Sequence, residues 1–195
     1  TPGAEDVHNT TMLNHPIEIA KVLKFWFEDT KPEQQFGKDP AFDQKVRERF
    51  LDIHAKIHAG ESKIWRDSPQ GRLAEIIVLD QFSRNMFRGT PKSFASDALA
   101  LELAKEAVAS GDDQKLPIEQ RNFIYMPYMH SEEREDHEIA IKLFAQTGLE
   151  QALKFEVLHK RIIDRFGRYP HRNEILGRTS TAEEIEFLKQ ENSSF

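Results

Sequence analysis

Apolar residues recur along this chain at intervals of three and four, the spacing that gathers side chains on one face of an α-helix. After Pro16, which a first helical turn tolerates, Ile19, Val22, Leu23, Trp26 and Phe27 hold that rhythm to about Asp29 and predict a first helix. The polar run TKPEQQFGKDP is expected to be a loop. Asp39 is placed to cap a second helix over 40–59, with Phe42, Val46, Phe50, Ile53 and Ile57 on one face and Gly60 as its stop. A loop with Trp65, Ser68 and Pro69 leads into a helix over 71–87. The turn Gly89-Thr90-Pro91 and a helix over 93–110, stopped by Gly111, follow. Pro117 opens the next segment and Pro127 is expected to break it. Ser131 with Glu132 and Glu133 reads as a new start running to Gly148. A helix over 149–166 and a short one over 170–176 come next, and Thr181 with Glu184 forms a capping box for a last helix through Leu188. No segment alternates like a strand. The expected fold is all-α, about nine helices stacked as antiparallel pairs in a single domain over 16–195, with residues 1–15 a disordered leader or a cloning remnant.

Two of these helices carry polar residues where the pattern calls for apolar ones. At 100° per residue, Leu73, Ile76, Ile77, Asp80, Arg84 and Phe87 share a face, while Val78, Leu79, Phe82 and Met86 cover the opposite side. A helix apolar on both sides is central. Unpaired charge there costs several kcal/mol, so Asp80 and Arg84 need partners, and they read either as a structural ion pair or as the lining of a pocket. His159 sits at the centre of the stripe Ala152, Phe155, His159, Ile162, Ile163 and Phe166; it is either a hydrogen-bonded core residue or a catalytic or ligand-contacting one.

Charge then narrows the classes. The chain has 195 residues and a formal net charge of -6, which argues against a general nucleic-acid binder. No apolar run approaches the ~20 residues of a membrane span. Without cysteine there is no disulfide framework, which fits a cytoplasmic protein. Against the acidic background, five arginines fall within 161–178, in RIIDRFGRYPHRNEILGR, and DQFSRNMFRG repeats the theme more weakly over 80–89. Planar, permanently charged forks at that density mark a network of paired charges or a pocket for an anion. His171 lies at the start of a short helix, where backbone N–H groups attract anions, and His130 is expected in a loop after the Pro127 break. Phosphate-loop, dinucleotide-binding, nucleophile-elbow and zinc-protease signatures are missing from the sequence. No metal or cofactor is expected: His54 and His58 have ligand spacing, but with no third ligand evident they read as a solvated surface pair.

The strings VLKFWFED, GRLAEIIVLDQFSRNMFRGTPKSFASD, FIYMPYMHSEE and HKRIIDRFGRYPHRNEILGRTSTAEE resemble, in order, the hallmarks of the bacterial family labelled domain of unknown function nine-two-four. The resemblance covers nearly the whole chain and implies an all-helical fold similar to tetratricopeptide-repeat proteins. It supplies no reaction. Ser83 stands where the family commonly has proline, and Tyr169 where phenylalanine is usual.

The expectation for function follows from the residues. Asp80, Arg84, Asn85, Arg88, His130, His159, Arg168, His171, Arg172 and Asn173 are expected to converge on one polar cleft for a small anionic molecule or a peptide carboxylate. His159, His130 and Asp80 would carry any catalysis, of hydrolase or lyase type, and the arginines, asparagines and His171 would hold the ligand. The competing readings are a non-catalytic helical scaffold for a peptide or protein partner, with a homodimer as one possible assembly, and a polar clamp with a purely structural role.

Overall fold

Proline at the first helical position with a capping side-chain oxygen just ahead of it begins two of the helices, at Asp39-Pro40 and Ser68-Pro69, as the sequence pattern asks. The computed structural model describes residues 15–195, and the expected unstructured leader therefore falls, apart from His15, outside the described residues. Helix α1 spans His15–Phe27. The stretch read as a loop contains a short helix, α2, Pro32–Phe36: proline supplies a helical φ, and Gln34 Oε1 accepts from Lys31 N at 2.9 Å, closing the first turn. Helix α3, Pro40–His58, is capped by Asp39, whose carboxylate accepts from Ala41 N and Phe42 N at 3.0 and 3.2 Å. A 3-10 turn, Lys63–Asp67, leads into α4, Pro69–Ile76, which is capped by Ser68.

The helix expected over 71–87 is continuous in direction but not in geometry. After α4 it widens into a π-helical segment, Ile77–Phe82, then tightens into α5, Ser83–Met86. Every residue of the π segment is buried, Gln81 at 7% exposure being the most open. A π turn has poorer hydrogen-bond geometry than an α turn and persists where packing on all sides fixes it. Here α4 packs on α1, α7 and α8, and the π segment on α3, α7 and α8. Phe82 is the aromatic hub, with ring centroids 5.8 Å from Phe25, 5.7 Å from Trp26 and 4.6 Å from Phe50. Burying each such ring contributes about 1.5–3 kcal/mol.

The single helix expected over 93–110 is two: α6, Lys92–Ala95, and α7, Asp97–Ser110, ending on Gly111 at φ 78°. After a 3-10 turn at Asp112–Lys115, α8 runs unbroken from Ile118 to His130 through Pro127. The expected break does not occur. Phe123 through Met129 are all buried, and that burial outweighs the roughly 3 kcal/mol that an interior proline costs. His130 is consequently the last residue of a helix rather than part of a loop. Helix α9, Arg134–Phe144, starts three residues later than Ser131 and packs between α8 and α10, Glu150–Phe166. A 3-10 turn at Pro170–Arg172 and α11, Asn173–Leu176, precede α12, Ala182–Phe187, whose expected capping box is present: Thr181 Oγ1 accepts from Glu184 N at 3.1 Å and Glu184 Oε1 from Thr181 N at 2.9 Å.

Among the described residues the chain is helical, with no strand. A large core joins α1 to α9. A small satellite of Ile162, Ile163 and Tyr169, flanked by Phe166 and Phe187, lies under the arginine-rich segment. His54 belongs to the apolar face of α3, 7% exposed, with Nε2 2.6 Å from Ser83 Oγ, and His58 Nδ1 is 2.9 Å from Ser96 Oγ. His54 is thus tied to the central helix and is not solvated, because it follows Phe50 by four residues on the face that packs inward, whereas His58 is exposed and meets Ser96 just ahead of α7. No described helix is long and apolar enough to cross a membrane.

Candidate functional site

The π segment presents Asp80, fully buried, to the end of α8. His130 Nδ1–H donates to Asp80 Oδ1 at 2.7 Å. Arg84, one turn on, donates through Nη1 to the same oxygen at 3.0 Å and to Asp97 Oδ1 at 2.9 Å, while Nη2 donates to Asp97 Oδ2 at 3.0 Å. Asp97 opens α7, so the fork bridges the central helix and its neighbour. Arg172 completes the group: Nη2 donates to the His130 carbonyl at 2.9 Å, and its guanidinium lies over Phe94 at 4.5 Å and Tyr169 at 4.8 Å. Two guanidinium charges thus face two carboxylates. They are not equally served: Arg84 is held by both acids, whereas Arg172, 5% exposed, comes no nearer to Asp97 than 3.8 Å and its Nε is buried without an acceptor.

These contacts set the protonation states. Burial works against the Asp80 charge, but His130 and Arg84 outweigh it and hold the carboxyl below the ordinary range. Burial, with Arg84 beside it, lowers His130 although Asp80 opposes the shift. The result is a neutral imidazole oriented by a carboxylate through Nδ1, which leaves Nε2 as a proton acceptor. Burial, then Arg84, also lowers Arg172, as expected of an under-compensated cation.

His171 and His159 form an adjoining layer around Tyr169. Their ring centroids are 5.8 and 5.7 Å from the Tyr169 ring, and burial pushes each imidazole down to about 3. His159 Nδ1–H donates to Phe155 O at 2.6 Å; His171 Nδ1 is buried with no partner. Behind them Tyr169 donates to Met129 O at 2.5 Å, and His137 bridges Glu156, at 2.5 Å, and the Ser131 carbonyl, at 2.6 Å. That buried scaffold fixes the end of α8, and with it His130.

Of the ten residues singled out in the sequence, the structure brings together Asp80, Arg84, His130 and Arg172, with His171 and His159 alongside. The other four are engaged elsewhere. Asn85 and Arg88 bind Asp43 of α3, at 2.9 Å and at 2.8 and 3.1 Å. Arg168 forks onto Glu184 at 2.7 and 2.9 Å, and Asn173 reaches Ser180 at 3.0 Å and Arg178 at 3.0 Å. Arg178 in turn forks onto Glu132 at 2.9 and 3.1 Å. Much of the arginine-dense segment is therefore a set of satisfied ion pairs. Sequence reasoning missed Asp97, Phe94, Tyr169 and Phe195. Asp97 looks like an ordinary first-turn acid, and the rings look like core; only Tyr169 stands beside an arginine in the sequence. Among the described residues no cluster of His, Asp and Glu is arranged to hold a metal ion.

Fold and site together define an all-helical protein built around a buried Asp–His–Arg cluster. Over residues 22–192 the chain matches the family described as bacterial protein of unknown function (DUF924), and it belongs to that family. It is similar to a solved protein of unknown function from Agrobacterium tumefaciens, at 37% identity and a TM-score of 0.85, over 89% of this chain and 98% of that one. No curated protein matches the chain.

Proposed function

We propose that the Asp80–His130–Arg172 cluster binds a small anionic molecule, phosphate- or carboxylate-bearing, and that His130 exchanges a proton with it in a hydrolase- or lyase-type reaction. The observation that carries this reading is Arg172, a guanidinium buried between two rings with Nε lacking an acceptor. Buried cations are ordinarily paired, and an incoming oxyanion supplies what Asp97 at 3.8 Å does not. Arg84, already saturated by two carboxylates, orients Asp80 and is not the anion's first contact. Asp80 holds the imidazole as a carboxylate holds the base in many acid–base sites, leaving Nε2 to take a proton from water or from the ligand. Because the cluster's charges balance before the anion arrives, binding an anion favours protonation of His130. Affinity is expected to rise as pH falls from 8 to 6, with proton uptake seen by calorimetry in buffers of different ionisation enthalpy. A peptide-binding scaffold fits less well, since peptide recognition relies on extended edges or open grooves rather than one buried fork.

A thermal-shift screen of phosphate and carboxylate compounds tests the reading. A ligand at a hundredfold excess over Kd stabilises the native protein by about 2.7 kcal/mol, and Arg172→Met should abolish the shift. If no compound raises the melting temperature, or if Arg172→Met responds like the parent, the cluster is a structural clamp.

A further inference from the structure

Phe195 lies against three rings at once. Its centroid is 3.8 Å from that of His159, 4.5 Å from His171 and 5.2 Å from Tyr169, the last two meeting it near edge-on at 64° and 88°. Two of the three rings of the seat are buried, His159 being 6% and Tyr169 0% exposed, and His171 is partly so, whereas Phe195 keeps 48% of its surface in water. A half-solvated ring therefore occupies a wall built of rings more buried than itself. Its fit is incomplete, because a hydrocarbon ring gives His171 Nδ1 nothing to bond, and that nitrogen stays orphaned. Buried polar atoms without partners are rare, and one on a ring that lines an occupied aromatic seat points to an occupant with a polar group. Tyr169 belongs to both places: the ring that meets Phe195 also carries the Arg172 guanidinium.

We propose that His159, Tyr169 and His171 form the subsite for a planar ring of the ligand, that Phe195 stands in for that ring, and that the ligand is accordingly a ring-bearing small anion such as an aromatic carboxylate or an aryl phosphate. This rests on Arg172 as the anchor of the anionic group. The ring lies against the two imidazoles and the edge of Tyr169, and a polar substituent on it engages His171 Nδ1. Phe195, half in water, competes with the ligand and leaves when it binds. Selectivity between anions with and without a ring then resides in this wall, not in the arginine.

Titration calorimetry of the full chain with four probes, acetate, benzoate, inorganic phosphate and phenyl phosphate, tests the subsite. Benzoate should bind more tightly than acetate, and phenyl phosphate more tightly than inorganic phosphate, each by about two- to tenfold, the worth of one or two edge contacts between rings. Phe195→Ala removes the competitor and should tighten both ring-bearing probes by a similar factor while changing the ringless pair less than about twofold. Phe195→Leu, which keeps apolar cover over the seat, should fall between parent and alanine variant. Equal affinities with and without a ring, or a Phe195→Ala effect common to all four probes, overturns the subsite while leaving the anion site standing. Failure of all four probes to bind either protein overturns both.

Discussion

Asp80 has no exposure, yet its carboxylate serves His130 and Arg84, so its charge is structural as well as chemical. Replacing it with asparagine keeps the shape and removes the charge that both neighbours face. Asp80→Asn should cost on the order of 3 kcal/mol in urea unfolding, because a buried cation loses one of its two acids. Arg172→Met should cost no more than about 1 kcal/mol, since that cation is poorly compensated in the parent; the contrast separates a clamp from a binding residue. Histidine burial predicts a pH effect. His159 and His171 titrate near 6.5 when unfolded and are pushed down to about 3 in the folded chain. The unfolded state therefore binds more protons within that window, and stability contributed above 6.5 is lost as pH falls toward 3. Each contributes up to about 1.4 kcal/mol per pH unit. His159→Gln should flatten the slope between pH 6.5 and 5 by about one proton, read from chemical denaturation at several pH values. At this scale the sequence was informative where the chemistry is local. Asp80 and Arg84 were legible as a pair from their i, i+4 spacing inside an apolar stripe. Asp97 and Arg172, which complete the pair's surroundings, come from distant segments, and no spacing rule connects them.

Helical elements were legible from periodicity and caps, and the departures share a cause in packing. Pro127 sits inside α8 because a run of buried neighbours holds the helix around it. The π widening at Ile77–Phe82 left no mark on the pattern, since a segment apolar on every side looks the same at either pitch. Capping, by contrast, is encoded in a few adjacent residues: Thr181→Ala should destabilise by about 1 kcal/mol through loss of the bond to Glu184 N. Gly71 shows a constraint of another kind. A Cβ built there would stand 1.8 Å from the Trp65 carbonyl oxygen, a rigid backbone atom. Gly71→Ala must push α4 off the preceding 3-10 turn, and a loss of roughly 3 kcal/mol is expected in thermal unfolding.

Two hydrophobic clusters of unequal size make up the described molecule, and the smaller carries the arginine-rich segment. Composition exposed that segment but not its division of labour, because an arginine forked onto glutamate and one buried without a full set of acceptors are the same letter. The satellite is tied to the main core by Tyr169 on Met129 O and by Glu132, which accepts from Arg178 and from Tyr169 N at 2.7 Å. Glu132→Gln should weaken that tie, and hydrogen exchange should quicken over residues 168–190 while α4 and α8 stay protected. Equal acceleration everywhere would mean that the two clusters open as one.

The π segment also makes the His130–Asp80 pairing depend on residue count. Removing one residue of the stretch would let it relax to ordinary α pitch with the flanking turns left nearly in register, and would shift Asp80, which lies inside the stretch, around the helix axis relative to both. Such a one-residue deletion would keep nearly the same composition and hydrophobic pattern while separating acid from imidazole. The geometry of the pair is thus written in the length of a helix as much as in the identity of its residues.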